Sequence, residues 1–328
     1  MAHNNQKHMS ISTLIPAAIA ILCLGLLAAP VHADTAMTST DRFVLLGTAG
    51  GPSIKPARSQ PANALVIGND VYIIDAGDGV SRQMGLAGIS AKNLRAVFIT
   101  HNHSDHVADY GTLLLRAWAS GLKSDVDTYG PPPIEEMTKA YLDDYMGWDI
   151  RLRTEDEDHP LLNDLVHAHT IEGDGEIYSD ENLTVTALEV PHGAAKPTFA
   201  LHLETADGCS IVYSSDTSGS EELREMAHGA DIFIHEVLSV DGIRAIVDKI
   251  DPGNEAFIRH ITEAHTSAVD VGRYAAEADV NTLVLTHFVP AGLSRYDNPD
   301  NWTRRVRKHY DGNLIIGQDL REIPLCSR

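Results

Sequence analysis

The chain has 328 residues, 43% of them apolar, enough for one large domain or two small ones around a real core. Acidic residues outnumber basic ones 46 to 25, a formal charge of −21 that repels polyanions and disfavours nucleic acid as a partner. With 3 cysteines, one of them in the leader described next, the chain is no disulfide scaffold; Cys209 and Cys326 can pair with each other or stay as separate structural thiols.

Residues 1–33 read as a secretory signal peptide. Lys7 supplies the positive start, Ile11 to Ala29 is mostly apolar, and Val31-His32-Ala33 is a small-x-small cleavage site. Pro16 and Pro30 argue against a membrane anchor. The expectation is a mature domain spanning 34–328, periplasmic or secreted, with no membrane span left after the signal is removed.

Short strands are expected at 43–47, 64–67 and 71–74, the last two joined by the turn signal Gly68-Asn69-Asp70. A short helix follows at 78–86, then a buried strand ending at Thr100, then a helix over 107–122 with apolar spacing near 3.6. Pro131 to Pro133 starts a helix running to about Met146. The stretch 149–180 is polar, and its charge run Thr154-Glu155-Asp156-Glu157-Asp158 reads as a solvated loop. Strands are expected at 183–190, 198–203, 209–213, 232–234 and 282–285. Helices are expected at 220–227, 264–278 and 301–309, and the chain closes on a strand at 314–316. Both halves share a β-then-α rhythm, which predicts an αββα sandwich of two mixed β-sheets flanked by helices.

The chemistry is concentrated in His101-Asn102-His103-Ser104-Asp105-His106, placed where the apolar run 94–100 ends. Three imidazoles and a carboxylate within six residues suit a metal site, because each offers a lone pair at about 2.0–2.2 Å from a cation. Further candidates also close apolar runs: His192 after Val190-Pro191, Asp216 after Ser214-Ser215, and His287 after Leu285-Thr286. His265 is expected to open a helix. His235 and His260 are read as structural.

The run Thr100-His101-Asn102-His103-Ser104-Asp105-His106 resembles the T-H-x-H-x-D-H signature of the metallo-β-lactamase superfamily. Leu46-Gly47-Thr48-Ala49-Gly50-Gly51-Pro52 and Ile74-Asp75-Ala76-Gly77-Asp78-Gly79 are similar to opening motifs of its ribonuclease Z-like branch, as are Ser215-Asp216-Thr217, Ile234-His235-Glu236, His265-Thr266 and Leu285-Thr286-His287 to its later motifs. The resemblance implies two Zn2+ ions, with Mn2+ or Fe2+ as competitors. His101, His103 and His192 would hold one, Asp105, His106 and His287 the other, and Asp216 would bridge them. Asp75 would orient a ligand imidazole. His265, paired with Glu236, would act on the leaving group, so Asp105, His265 and Glu236 are the catalytic candidates. Related folds often dimerise, which allows a homodimer.

Residues 129–137 and 145–151 are similar to the arylsulfatase-like branch of the same superfamily. Tyr141, Tyr145, Met146 and Trp148 would form an aryl-binding lid or simply pack between helices. The sequence reading is therefore an exported dizinc hydrolase that cleaves a sulfate ester or phosphodiester of a small anionic substrate. The alternatives are a lactonase or β-lactamase, a ribonuclease Z-type phosphodiesterase, and a non-enzymatic metal-binding protein.

Overall fold

Strict alternation along the first strands sets the layering. In the computed structural model, which describes residues 41–326, Phe43 and Leu45 face one apolar cluster while Val44 and Leu46 face another. A period of two gives a strand two buried faces, so the sheet must be covered on both sides. The expected signal peptide and the 33/34 boundary lie outside the described residues.

The strands of the first half are β1 (Arg42–Gly47), β2 (Ala62–Ile67), β3 (Asp70–Ala76), β4 (Leu94–Phe98), β5 (Val126–Gly130) and β6 (Val166–Thr170). Those of the second half are β7 (Gly175–Ser179), β8 (Leu183–Glu189), β9 (Phe199–Thr205), β10 (Ser210–Tyr213), β11 (Ile232–Leu238), β12 (Thr282–Val289), β13 (Asn313–Ile316) and β14 (Arg321–Pro324). They form two 7-stranded sheets, ordered β14-β1-β2-β3-β4-β5-β6 and β13-β12-β11-β10-β9-β8-β7. Each sheet is antiparallel on one side and parallel on the other: β3 to β6 run parallel in the first, β10 to β13 in the second.

The helices are α1 (Val80–Leu86), α2 (Ser104–Val107), α3 (Tyr110–Ala119), α4 (Ile134–Lys139), α5 (Gly147–Glu157), α6 (Leu162–Leu165), α7 (Glu221–Met226), α8 (Val240–Ile250), α9 (Glu255–Ala264), α10 (Ala268–Glu277) and α11 (Pro299–Val306). Phe43, Leu65, Tyr72, Phe98, Leu201 and Ile234 belong to the cluster between the sheets. Trp118 and Leu114 of α3 pack on the outer face of the first sheet, and Trp302 of α11 and Val271 of α10 on that of the second. The αββα sandwich of two mixed β-sheets is the observed architecture.

Several expectations are corrected. The charge run 154–158 is not a loop, and the polar stretch around it holds most of α5, then α6, β6 and β7. The charge run lies largely within the last turn of α5, where Arg153 pairs with Asp149 and Glu157 one helical turn away on either side, so the charges support a surface helix. The helix expected to reach about Met146 is present, as α4 to Lys139 and then a π-helical stretch over Ala140–Tyr145. Strand β11 runs on to Leu238, and two unexpected helices, α8 and α9, follow it. The chain does not close at β13, since β14 returns to pair with β1.

Cys209 and Cys326 form a disulfide. Cys209 precedes β10 in the second sheet and Cys326 follows β14 in the first, so the bond ties the two sheets together across 117 residues of chain. Among the described residues no helix is long and apolar enough to cross a membrane. Replacing both cysteines by Ser is expected to lower unfolding stability by about 2–4 kcal/mol in urea titration, because the unfolded chain regains the freedom the cross-link removes.

Candidate metal centre

Every chemically distinctive side chain sits at the end of an element. Asp75 is near the end of β3, and His101 to His106 follow β4 and run into α2. His192 follows β8, Asp216 follows β10, and His287 lies late in β12. Ligand sites in open α/β sheets fall outside the carboxyl ends of parallel strands, and the parallel halves of both sheets deliver their ends here. Asp75, Ser215 and His287 have positive φ angles of 60°, 56° and 42°. Such non-glycine backbone is strained, and it turns the chain sharply enough to aim these side chains into one cleft.

Two donor sets result. The ligand atoms of His101, His103, His192 and Asp216 lie within 4.8 Å of one another, and so do those of Asp105, His106 and His287. Asp216 touches both: its Oδ2 is 3.1 Å from His287 Nε2, 3.5 Å from His106 Nε2, 3.7 Å from His192 Nε2 and 3.9 Å from His101 Nε2. Asp105 Oδ2 is 3.6 Å from His106 Nε2 and 3.5 Å from His287 Nε2. Two ligands at 2.0–2.2 Å from one tetrahedral cation sit about 3.3 Å apart, so these separations suit a shared ion.

Hydrogen bonds fix which nitrogen faces the cleft. His192 Nδ1 donates to the Ala264 carbonyl at 2.8 Å, and a carbonyl can only accept, so Nε2 keeps its lone pair. Asp75 Oδ2 takes the Nδ1 hydrogen of His106 at 2.8 Å. Thr100 Oγ1 donates to Asp75 and so accepts from His101 Nδ1 at 3.1 Å. The nitrogens turned to the cleft then meet: His103 Nδ1 is 3.1 Å from His101 Nε2 and 3.2 Å from His192 Nε2, and His106 Nε2 is 3.3 Å from His287 Nε2. Ring nitrogens this close share either a proton or a cation. Asp216 Oδ1 and His287 Nδ1 are also buried without a hydrogen-bond partner. The residues fit a pair of metal ions.

Electrostatics agree. Burial, reinforced by neighbouring imidazoles, pushes His101 well below the usual histidine range and leaves it a neutral ligand. Burial also acts against charge on His106, yet Asp216, Asp75 and Asp105 outweigh it and hold this imidazole well above its ordinary value. A field that draws a proton onto a buried histidine also draws a cation.

His265 completes the cleft but opens no helix, since it caps the C-terminus of α9 and precedes the Ser267-capped α10. Its Nδ1 lies 3.4 Å from Glu236 Oε1. Burial opposes charge on this ring, but the Glu236 carboxylate lifts it to about 9. Glu236 Oε1 also accepts the Thr266 N–H at 2.7 Å, which locks the carboxylate in place.

All seven expected metal ligands thus converge, with His265 and Glu236 beside them. His235 is buried and structural as expected, donating Nδ1 to the Glu236 carbonyl at 2.7 Å. His260 is not merely structural: it lines the same cleft of about 490 Å³. The aromatic lid is corrected too. Tyr141 packs on Gly111 of α3, Tyr145 and Trp148 are 76% and 71% exposed, and none of these or Met146 lines the cleft, because this segment covers the outer helical layer. Sequence reading also missed the scaffold of the loop after β1. Asp319 accepts from the Thr48 and Ser59 amides, and Arg58 grips Asp297 with two hydrogen bonds. The loop's Gly51 N–H then reaches Asp105 Oδ2 at 2.9 Å. Gly50 was a readable signal, because a Cβ there would stand 2.9 Å from the His287 ring.

A four-layer sandwich with two His/Asp donor sets in one cleft defines a metal-dependent hydrolase. The family model for a beta-lactamase superfamily domain matches residues 71–288. The ribonuclease Z of Mycobacterium marinum (strain ATCC BAA-535 / M) is 31% identical over 293 residues, 87% of this chain and 99% of that protein. The metallo-β-lactamase fold protein YhfI from Bacillus subtilis superposes with a TM-score of 0.61 at 20% identity, covering 86% of this chain and 98% of that one. The short form of human tRNase Z also gives 0.61, at 19% identity, over 87% of this chain and 100% of its own. The chain belongs to the metallo-β-lactamase superfamily. It is a metal-dependent hydrolase acting on ester bonds, and the two zinc ions used by its family fit the donor sets found here.

Replacing Asp216 by Ala is expected to release zinc as well as abolish activity, because one carboxylate faces both donor sets. Metal analysis after dialysis checks this; two zinc ions retained per chain would contradict it.

Proposed function

We propose that the protein hydrolyses phosphodiesters, with His101, His103 and His192 holding one metal, Asp105, His106 and His287 the other, and Asp216 shared between them. The observation that carries the reading is the His265–Glu236 pair set in the same cleft as both donor sets. The likeness to proteins named ribonuclease Z supports phosphorus over sulfur or carbonyl carbon as the centre attacked.

When bound, the metal pair supplies Lewis acidity and makes water acidic enough to react near neutral pH. The chain's own groups divide the remaining work. Asp105, held by the Gly51 N–H, is kept ionised by His106 and His287 despite its burial, so it stays a negatively charged acceptor that can hold a metal and orient the attacking water. His265, protonated through Glu236, faces the charge that builds on the departing oxygen and delivers its proton there. Glu236 keeps that imidazole charged and fixed in orientation.

RNA as the particular phosphodiester is the second reading, favoured by the names of the relatives. Against it stand the charge of −21 and a cleft whose lining, among the described residues, holds no Lys or Arg. Export through residues 1–33 remains part of the proposal. The Cys209–Cys326 disulfide supports it, because such bonds persist in oxidising compartments.

His265→Ala is expected to keep its zinc and lose about 10²–10⁴-fold in kcat, the range for a missing acid–base group. Unchanged turnover would remove His265 from the chemistry. In a panel of bis(4-nitrophenyl) phosphate, an aryl sulfate, a lactone, a β-lactam and a precursor tRNA, the small phosphodiester is expected to show the highest kcat/KM. A dominant rate on any other member would replace the reading with that member's class. N-terminal sequencing of the protein recovered from its native cell is expected to start at Asp34, and a chain starting at residue 1 would end the export proposal.

A further inference from the structure

Helix α9 presents four residues to the cleft, Phe257, His260, Ile261 and Ala264. Their spacing of three, four and seven residues places them on one helical face. The helix is anchored on its neighbour α8: Ile258 of α9 packs with Ile243 and Val247 of α8 and with Leu238 and Val289, and Ile261 rests against the edge of the same cluster, which is separate from the main layers. The face turned to the metals is therefore set by rigid packing. Val289 adds to the same wall. Phe257 stands 44% exposed, an aromatic ring left at the mouth of a reactive cleft. The hairpin is also tied to the chemistry, because the Ala264 carbonyl orients His192 and His265 follows directly.

We propose that this face of α9 is the specificity wall of the site. It selects phosphodiesters whose second ester group, the one not expelled, is an apolar aromatic ring, over those carrying a small alkyl group or a sugar. The proposal rests on the phosphodiesterase reading above. A flat ring lies against Phe257 and Ile261 with its apolar surface removed from water, whereas a sugar ring there sets most of its hydroxyls against hydrocarbon, with the His260 imidazole the one polar side chain of this helical face. Phe257 is a specificity-determining residue and takes no part in bond breaking.

Two substrates sharing one leaving group isolate the wall: phenyl 4-nitrophenyl phosphate and methyl 4-nitrophenyl phosphate. With zinc-loaded protein, kcat/KM is expected to favour the phenyl ester by at least about tenfold, the scale of apolar-pocket discrimination. Phe257→Ala should bring the ratio close to one, mainly through KM, and Phe257→Trp should keep it. Calorimetric binding of diphenyl phosphate and dimethyl phosphate reads the same preference without turnover. A ratio near one in the wild type, or one untouched by Phe257→Ala, overturns the wall, as does equal binding of the two phosphates. If neither ester is hydrolysed but diphenyl phosphate binds more tightly and loses that advantage in Phe257→Ala, the wall stands and the phosphodiesterase reading falls.

Discussion

The structure depends on the crowding of imidazole nitrogens and carboxylates into one buried cleft. Three imidazole nitrogens meet around His103 at 3.1 and 3.2 Å, and two more meet between His106 and His287 at 3.3 Å. Each of His101, His106 and His192 has its other nitrogen committed to a hydroxyl, a carboxylate or a carbonyl. The lone pairs therefore have nowhere else to point. Hydrogen bonds to the outer nitrogens set the ring orientations in advance, so the donors are already aimed at the position of a cation.

The fold supports that arrangement from both sides. Asp75, wholly buried on the first sheet, accepts from Thr100 and His106 and also from Tyr213 of the second sheet at 3.3 Å. One carboxylate thus registers the two sheets against each other at the site. The disulfide does the same by a covalent link. Strained backbone at Asp75, Ser215 and His287 costs about 1–3 kcal/mol per residue, which the surrounding β-sheet core is large enough to offset.

Specificity is separated from this machinery in the chain. The metal donors come from strand ends, whereas the walls of the cleft come from the loop after β1 and from α9. An architecture of this kind keeps its chemistry while loops and insertions change what fits, so the fold alone names no substrate. The acidic surface and the apolar α9 face point away from a long polyanion, while the relatives named ribonuclease Z point toward a phosphodiester bond. A small aromatic phosphodiester satisfies both.

What was legible in the sequence was local. The His101 to His106 cluster, the apolar runs that end in His192, Asp216 and His287, and the β-then-α rhythm all follow from residue order, because strand periodicity and metal-donor chemistry are short-range patterns. Residue order therefore carried the sandwich and the candidate donors, while the grouping of those donors and the hydrolase class came from the resemblance of the motifs to a known superfamily. Long-range contacts decided the rest. β14 found its place only by pairing with β1. Cys326 met Cys209, and His192 acquired its tautomer from the carbonyl of Ala264. A backbone carbonyl carries no residue identity, and a pairing across more than a hundred residues leaves no periodic trace, so only the tertiary structure could place α9 and its apolar face beside the metal donors.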